Sequence, residues 1–173
     1  MSPDAFHALT SVLDYPMWVV TCAAGDERGG CLVGFATQCS IAPARYLVCI
    51  SEANHTAGVA WRSEFLAMHV LTAGAEEVAV LFGSQTGGDI DKFARCDWHP
   101  GPGGVPLLAA CPNRFVGRII DRRVTGDHTA YVLDVVDASV DQDAVGRVVP
   151  LGFQDLRDLP PGHRPDESSA DFT

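Results

Sequence analysis

Residues 128–140, HTAYVLDVVDASV, form a long apolar run rich in β-branched side chains. Side chains crowded at χ1 pack poorly into a helix and well onto a pleated surface, so this run is a strand. The turn Thr125-Gly126-Asp127 precedes it, and FVGRIIDRRV, residues 115–124, lies on the other side. Together they predict a hairpin. Shorter apolar runs at 17–22, 31–36, 46–50, 65–72 and 106–111 complete the pattern. Each is bounded by glycine, proline or polar residues and is too brief for a stable helix, so each also reads as a strand. The first two face each other across the loop Gly25 to Gly30 as a second hairpin.

Helical patterns are few. Ser2, Pro3 and Asp4 open a short helix with Phe6, Leu9, Val12 and Leu13 on one side, and Pro16 ends it. AGVAWRSEF after Thr56 is helical in character, as is 75–82, where Val78, Leu81 and Phe82 share a face and Gly83 closes the helix. IDKFAR adds a short turn. Many short strands with brief helices predict a mainly β fold, an antiparallel barrel with helical insertions. No GxGxxG follows a strand and no GxSxG occurs, which removes the dinucleotide fingerprint and the serine-hydrolase elbow. His69, within FLAMHVL, reads as a core histidine satisfied by backbone. Phe93 and Trp98 read either as an aromatic lid or as plain anchors.

Composition narrows the partners. The 173 residues carry a formal charge of −10 with pI near 4.8, and no basic run exists to neutralise phosphates in series, so nucleic acid and anionic membrane are excluded as broad partners. No stretch reaches the roughly 20 apolar residues of a spanning helix, and MSPDAFHALT lacks a signal peptide's basic and apolar regions. A cytoplasmic protein is expected, with one domain over 1–157 and a flexible proline-rich tail over 158–173. Six cysteines form no CxxC pair, and Cys96 with His99 lacks a matching second pair. Reduced thiols and no metal site are expected.

The chemistry is expected between Gly34 and Thr56. GFATQCS ends one strand pattern in Thr37, Gln38, Cys39 and Ser40. YLVCIS ends another, followed by Glu52, Ala53, Asn54, His55 and Thr56, where a helix can begin. Hydroxyls, amides and free backbone N–H groups at strand ends and a helix start suit an anion such as phosphate. The two ends are expected to form one pocket; the same residues also read as an ordinary turn and helix cap.

In order, GFATQCS after a hairpin strand, YLVCIS with Asn54-His55-Thr56, FLAMHVL, a helix ending in LFG, DKF, and Gly126-Asp127-His128 opening a long strand resemble the flavin reductase-like, FMN-binding split-barrel proteins. The resemblance covers roughly residues 17–140. It implies a six-stranded antiparallel split β-barrel with Greek-key connections, a homodimer with a cleft near the subunit interface, FMN as cofactor with FAD as the alternative, and NAD(P)H as co-substrate. It places cofactor contacts at Thr37, Gln38, Cys39, Ser40, Ser51, Glu52, Ala53, Asn54, His55 and Thr56. His128 falls beside the flavin and nicotinamide rings as the catalytic, positioning residue. The implied activity is hydride transfer to flavin, supplying reduced flavin to a partner monooxygenase. A flavin-binding or electron-transfer protein without that turnover, or a deazaflavin-using relative, is the alternative.

Overall fold

The computed structural model describes residues 3–142, 146–160 and 162. Helix α1 (Pro3–Thr10) precedes β1 (Trp18–Ala24), β2 (Glu27–Val33), β3 (Ala36–Ser40) and β4 (Arg45–Ser51). Then follow α2 (His55–Arg62), β5 (Phe65–Val70), α3 (Glu76–Gly83), β6 (Trp98–Pro100), β7 (Pro106–Leu108), β8 (Arg114–Val124), β9 (His128–Ser139) and α4 (Phe153–Leu156).

Seven strands form one sheet in the order β2-β1-β5-β8-β9-β4-β3, antiparallel at every pairing. The edge strands β2 and β3 are consecutive in sequence and separated only by Gly34 and Phe35. Two residues cannot span a flat sheet seven strands wide, so the sheet curls until its edges meet at this corner. That curl is the split-barrel form. The main core lies inside it, where Val20, Cys22, Cys31, Val33, Val48, Ile50, Leu66, Met68, Tyr131 and Leu133 pack with Ala57, Val59 and Ala60 of α2. A second cluster covers the outer side, joining Met17, Val19 and Leu71 to Phe82 of α3, Phe93 and Leu108. Leu151, Phe153, Leu156 and Leu159 also pack there. Residues 163–173, most of the expected tail, lie outside the described residues.

The mainly β, antiparallel class holds, with three local differences. The expected loop Gly25 to Gly30 is a two-residue turn, because Ala24 pairs with Glu27 and Gly25 takes φ 63°. Gly29 and Gly30 lie within β2, where a Cβ on Gly30 would stand 2.5 Å from Phe82. Glycine serves there for close approach and not for turning. The expected strand 31–36 ends at Val33, and residues 36–40 form a strand of their own, which makes seven where six were expected. Residues 106–108 leave the main sheet and pair with β6.

His69 is the satisfied core histidine the sequence predicts. Its Nδ1 lies 3.1 Å from the Val19 carbonyl and its Nε2 accepts from the Leu108 amide at 3.1 Å. With both nitrogens engaged in this way the ring is neutral, and burial holds its pKa near 4. Phe93 and Trp98 are anchors: Phe93 meets Phe82 and Trp98 edge-on, and the Trp98 indole N–H donates to the Phe93 carbonyl.

Candidate functional site

The corner between the two edge strands opens a cleft of about 200 Å³, lined in part by Tyr15, Gly34, Phe35, Cys49, Ser51, Asn54 and His128. Its walls come from five parts of the chain. Phe35 sits at the break between β2 and β3, half exposed at 53%. Its ring centroid stands 5.3 Å from that of His128 and 6.0 Å from that of Tyr15, which stacks on Phe153 at 5.2 Å. These four rings make a continuous aromatic wall. Gly34 is required beneath it, because a Cβ there would stand 2.3 Å from the Tyr15 ring.

The turn before β9 brings His128 to the cleft. Gly126 takes φ 137°, a backbone conformation that favours glycine. The Thr125 amide and hydroxyl both donate to the His128 carbonyl at 2.9 Å. Ser51 pairs with His128 in the β4–β9 ladder, and the Glu52 amide donates to the Asp127 carbonyl at 2.9 Å. The buried Thr129 hydroxyl donates to the Glu52 carboxylate. Glu52 therefore ties the turn to the end of β4. The His128 Nδ1 lies 2.9 Å from Asp127 Oδ1, and this contact holds the Asp127 carboxyl below its usual range. Burial raises the Cys49 thiol pKa, so that wall stays uncharged.

Helix α2 begins at the cleft margin. Asn54 occupies its N-cap without a side-chain hydrogen bond, and the first turn carries no acid. Uncapped amides at a helix start, next to Ser51 and Asn54, are donors preorganised for an anion. An aromatic wall with donors at one end fits a planar ring bearing a phosphorylated chain, which is the form of FMN.

The predicted residues divide into two groups. Ser51, Asn54 and His128 meet in the cleft, with Glu52 and Ala53 shaping the connection and His55 and Thr56 starting α2. Thr37, Gln38, Cys39 and Ser40 lie along edge strand β3, not in a loop. Gln38, Cys39 and Ser40 line a separate open groove with Ile41 and Ala42. Ser40 pairs with Arg45, six residues along β4 from Ser51, or about 20 Å at strand rise. The two polar ends do not form one pocket within a protomer. Tyr15, Phe35 and Phe153 were not foreseen, and only Phe35, next to Gly34 in GFATQCS, lay in a stretch singled out by sequence.

A curled antiparallel sheet with an aromatic and polar cleft at its open corner defines the split-barrel flavoprotein class. The chain matches the family model described as flavin reductase like domain over residues 10–159, and it belongs to that family. That makes it an oxidoreductase. The chain is 31% identical over 143 residues to "FMN reductase (NADH) RutF 1" of Methylorubrum extorquens, covering 82% of this chain and 71% of the relative. It resembles the structure of the NADH:FAD oxidoreductase SgcE6 of Streptomyces globisporus, with TM-score 0.75, 25% identity and coverage of 95% and 93%. The fold is shared with a flavin reductase domain protein of Arthrobacter, with TM-score 0.78, 18% identity and coverage of 89% and 92%.

Proposed function

We propose that this protein binds FMN in the Phe35–His128 cleft and reduces it with hydride from a nicotinamide nucleotide. The observation that carries the reading is the meeting of Ser51, Asn54 and His128 with the Tyr15–Phe35 wall beside the uncapped start of α2. The relative named FMN reductase (NADH) supports FMN as the flavin and NADH as the donor. The bound flavin supplies the hydride chemistry. The chain's own residues bind and orient. The aromatic wall would stack a planar ring and keep water from one side, while Ser51, Asn54 and the amides that open α2 would hold the ribityl and phosphate end; the His55 side chain turns toward Glu27 and Thr56 is buried. His128 lines the cleft that would receive the ring, and Asp127 fixes its orientation through Nδ1. Thr37, Gln38, Cys39 and Ser40 are not part of this contact set.

A homodimer, and delivery of reduced flavin to a partner monooxygenase, belong to the same proposal and rest on the family resemblance. The absorption spectrum of the purified protein and an NADH oxidation assay with added FMN test the reading. Flavin absorption, or quenching of FMN fluorescence on mixing, with NADH consumption supports it. Stoichiometric flavin without NADH or NADPH oxidation would leave a flavin-binding or deazaflavin-using protein. No flavin binding at all would overturn both.

A further inference from the structure

A second cleft, of about 390 Å³, has no part in the reading above. It is lined by the β1–β2 turn at Asp26, Glu27 and Arg28, by Gly29 and Gly30, by His55, and by residues 87–93. Its charges are mixed and unequally engaged. Glu27 is held by Arg62 at 2.6 Å and faces His55 at 3.6 Å, and Asp91 caps the Phe93 and Ala94 amides. The exposed carboxylates of Asp26 and Asp89 have no side-chain partner among the described residues.

Lys92 is the opposite case. It is 4% exposed, and its ammonium donates to the Gly30 and Phe82 carbonyls at 3.1 Å each, with no carboxylate partner among the described residues. A buried cation without a counter-ion is costly, and an anion in the cleft would offset that cost. Arg28 stands at the rim, its guanidinium 4.8 Å from the Trp98 ring centre. The backbone at Gly88 is open to close approach, whereas the bare faces of Gly29, Gly30 and Gly87 are covered by Cys22, Phe82 and His55. Cations that suit a phosphate, unengaged carboxylates that accept from hydroxyls, and bare backbone together match a ribose phosphate.

The two clefts flank one helix start, Asn54 lining the first and His55 the second. Along β2, Gly30 lines the second and Val33 the first. Those positions are three residues apart, or about 10 Å. This is the order of the span that a diphosphate bridges.

We propose that the Arg28–Lys92 cleft binds the adenosine-phosphate half of a dinucleotide whose redox ring lies in the Phe35–His128 cleft. The proposal rests on the flavin reading for the placement of that ring. The dinucleotide is either FAD or the nicotinamide donor, which share this half. Asp26 and Asp89 accept from the ribose hydroxyls and repel a second phosphate there, so a 2′-phosphate is disfavoured.

Calorimetric titration with AMP tests the second cleft independently of any flavin, and titration with FMN tests the first. AMP should bind, and Arg28→Ala should weaken it about tenfold with FMN affinity unchanged. Asp89→Asn should raise the affinity for adenosine 2′,5′-bisphosphate relative to AMP at least fivefold, which keeps the test open if Arg28→Ala disturbs the Trp98 contact. Competition by AMP against FAD, or against NADH in the presence of FMN, identifies the source of the adenosine. FMN binding without AMP binding at millimolar concentration would overturn the proposal alone. AMP binding without flavin binding would overturn the flavin reading and leave an adenosine nucleotide site.

Discussion

The rings of Phe35 and His128 stand 5.3 Å apart, one at the break between β2 and β3 and the other at the first residue of β9. They come from parts of the chain distant in sequence and face one cleft. The Phe35 ring has no polar atom to fix it, whereas the His128 ring is tied to Asp127 through Nδ1 at 2.9 Å. The fixed ring orients, and the free ring stacks.

Replacing His128 by Ala is expected to leave FMN bound and to slow its reduction by NADH tenfold or more, within the range seen when positioned proton-handling groups are lost. Rapid mixing of the FMN-loaded variant with NADH reads this directly. An unchanged reduction rate would remove His128 from the catalytic role.

Ser51→Ala combined with Asn54→Ala is expected to weaken FMN, with each hydrogen bond to a charged group worth about 1.5–3 kcal/mol. Thr37→Ala with Ser40→Ala is expected to leave the affinity unchanged, because β3 lies outside the cleft. Fluorescence titration of both double variants decides between the two strand ends.

Gly30→Ala should destabilise the fold by about 1–3 kcal/mol, the usual cost of overpacking. The new methyl would meet the Phe82 and Phe93 rings at 2.5 and 3.2 Å. Urea unfolding measures it, and an unchanged midpoint would show that α3 yields without cost.

His69 links stability to pH. Its folded pKa is about 4, pushed down from 6.5 mainly by burial, and Arg114 adds to the lowering. Between those values the unfolded chain takes a proton that the folded chain refuses. The contribution of His69 is thus fully present above pH 6.5 and is lost as pH falls toward 4. It amounts to about 3 kcal/mol over that window. Denaturation midpoints for the parent and His69→Gln should converge as pH falls; parallel curves would contradict the assignment.

The strands most visible in the sequence were those whose apolar pattern was continuous, such as FLAMHVL and the run after Asp127. Gly29 and Gly30 were misread because a glycine packed under an aromatic ring leaves the same local mark as one in a loop. Thr37 to Ser40 read as loop because an edge strand turns polar side chains outward and its pairing partner is invisible locally. Ser51 and Asn54 line the cleft from a strand end and a helix cap, positions that local patterning marks, whereas His128 was indicated by the family resemblance of the Gly126-Asp127-His128 turn. Tyr15 and Phe153 reach the cleft from 138 positions apart in sequence (153 − 15), and no local periodicity connects them.

The strand order also governs when the fold can exist. Strands β2, β1 and β5 form one hydrogen-bonded block and β3 with β4 another, and the β8–β9 hairpin completes the ladder between them, through β5–β8 and β4–β9. That hairpin is the keystone of the sheet. A nascent chain that has not yet reached residue 114 therefore holds two blocks joined at the β2–β3 corner, with β5 and β4 each presenting a bare edge, and the ladder waits on contacts distant in sequence. The same late pairing sets Ser51 against His128, so the cleft is among the last features of the molecule to form.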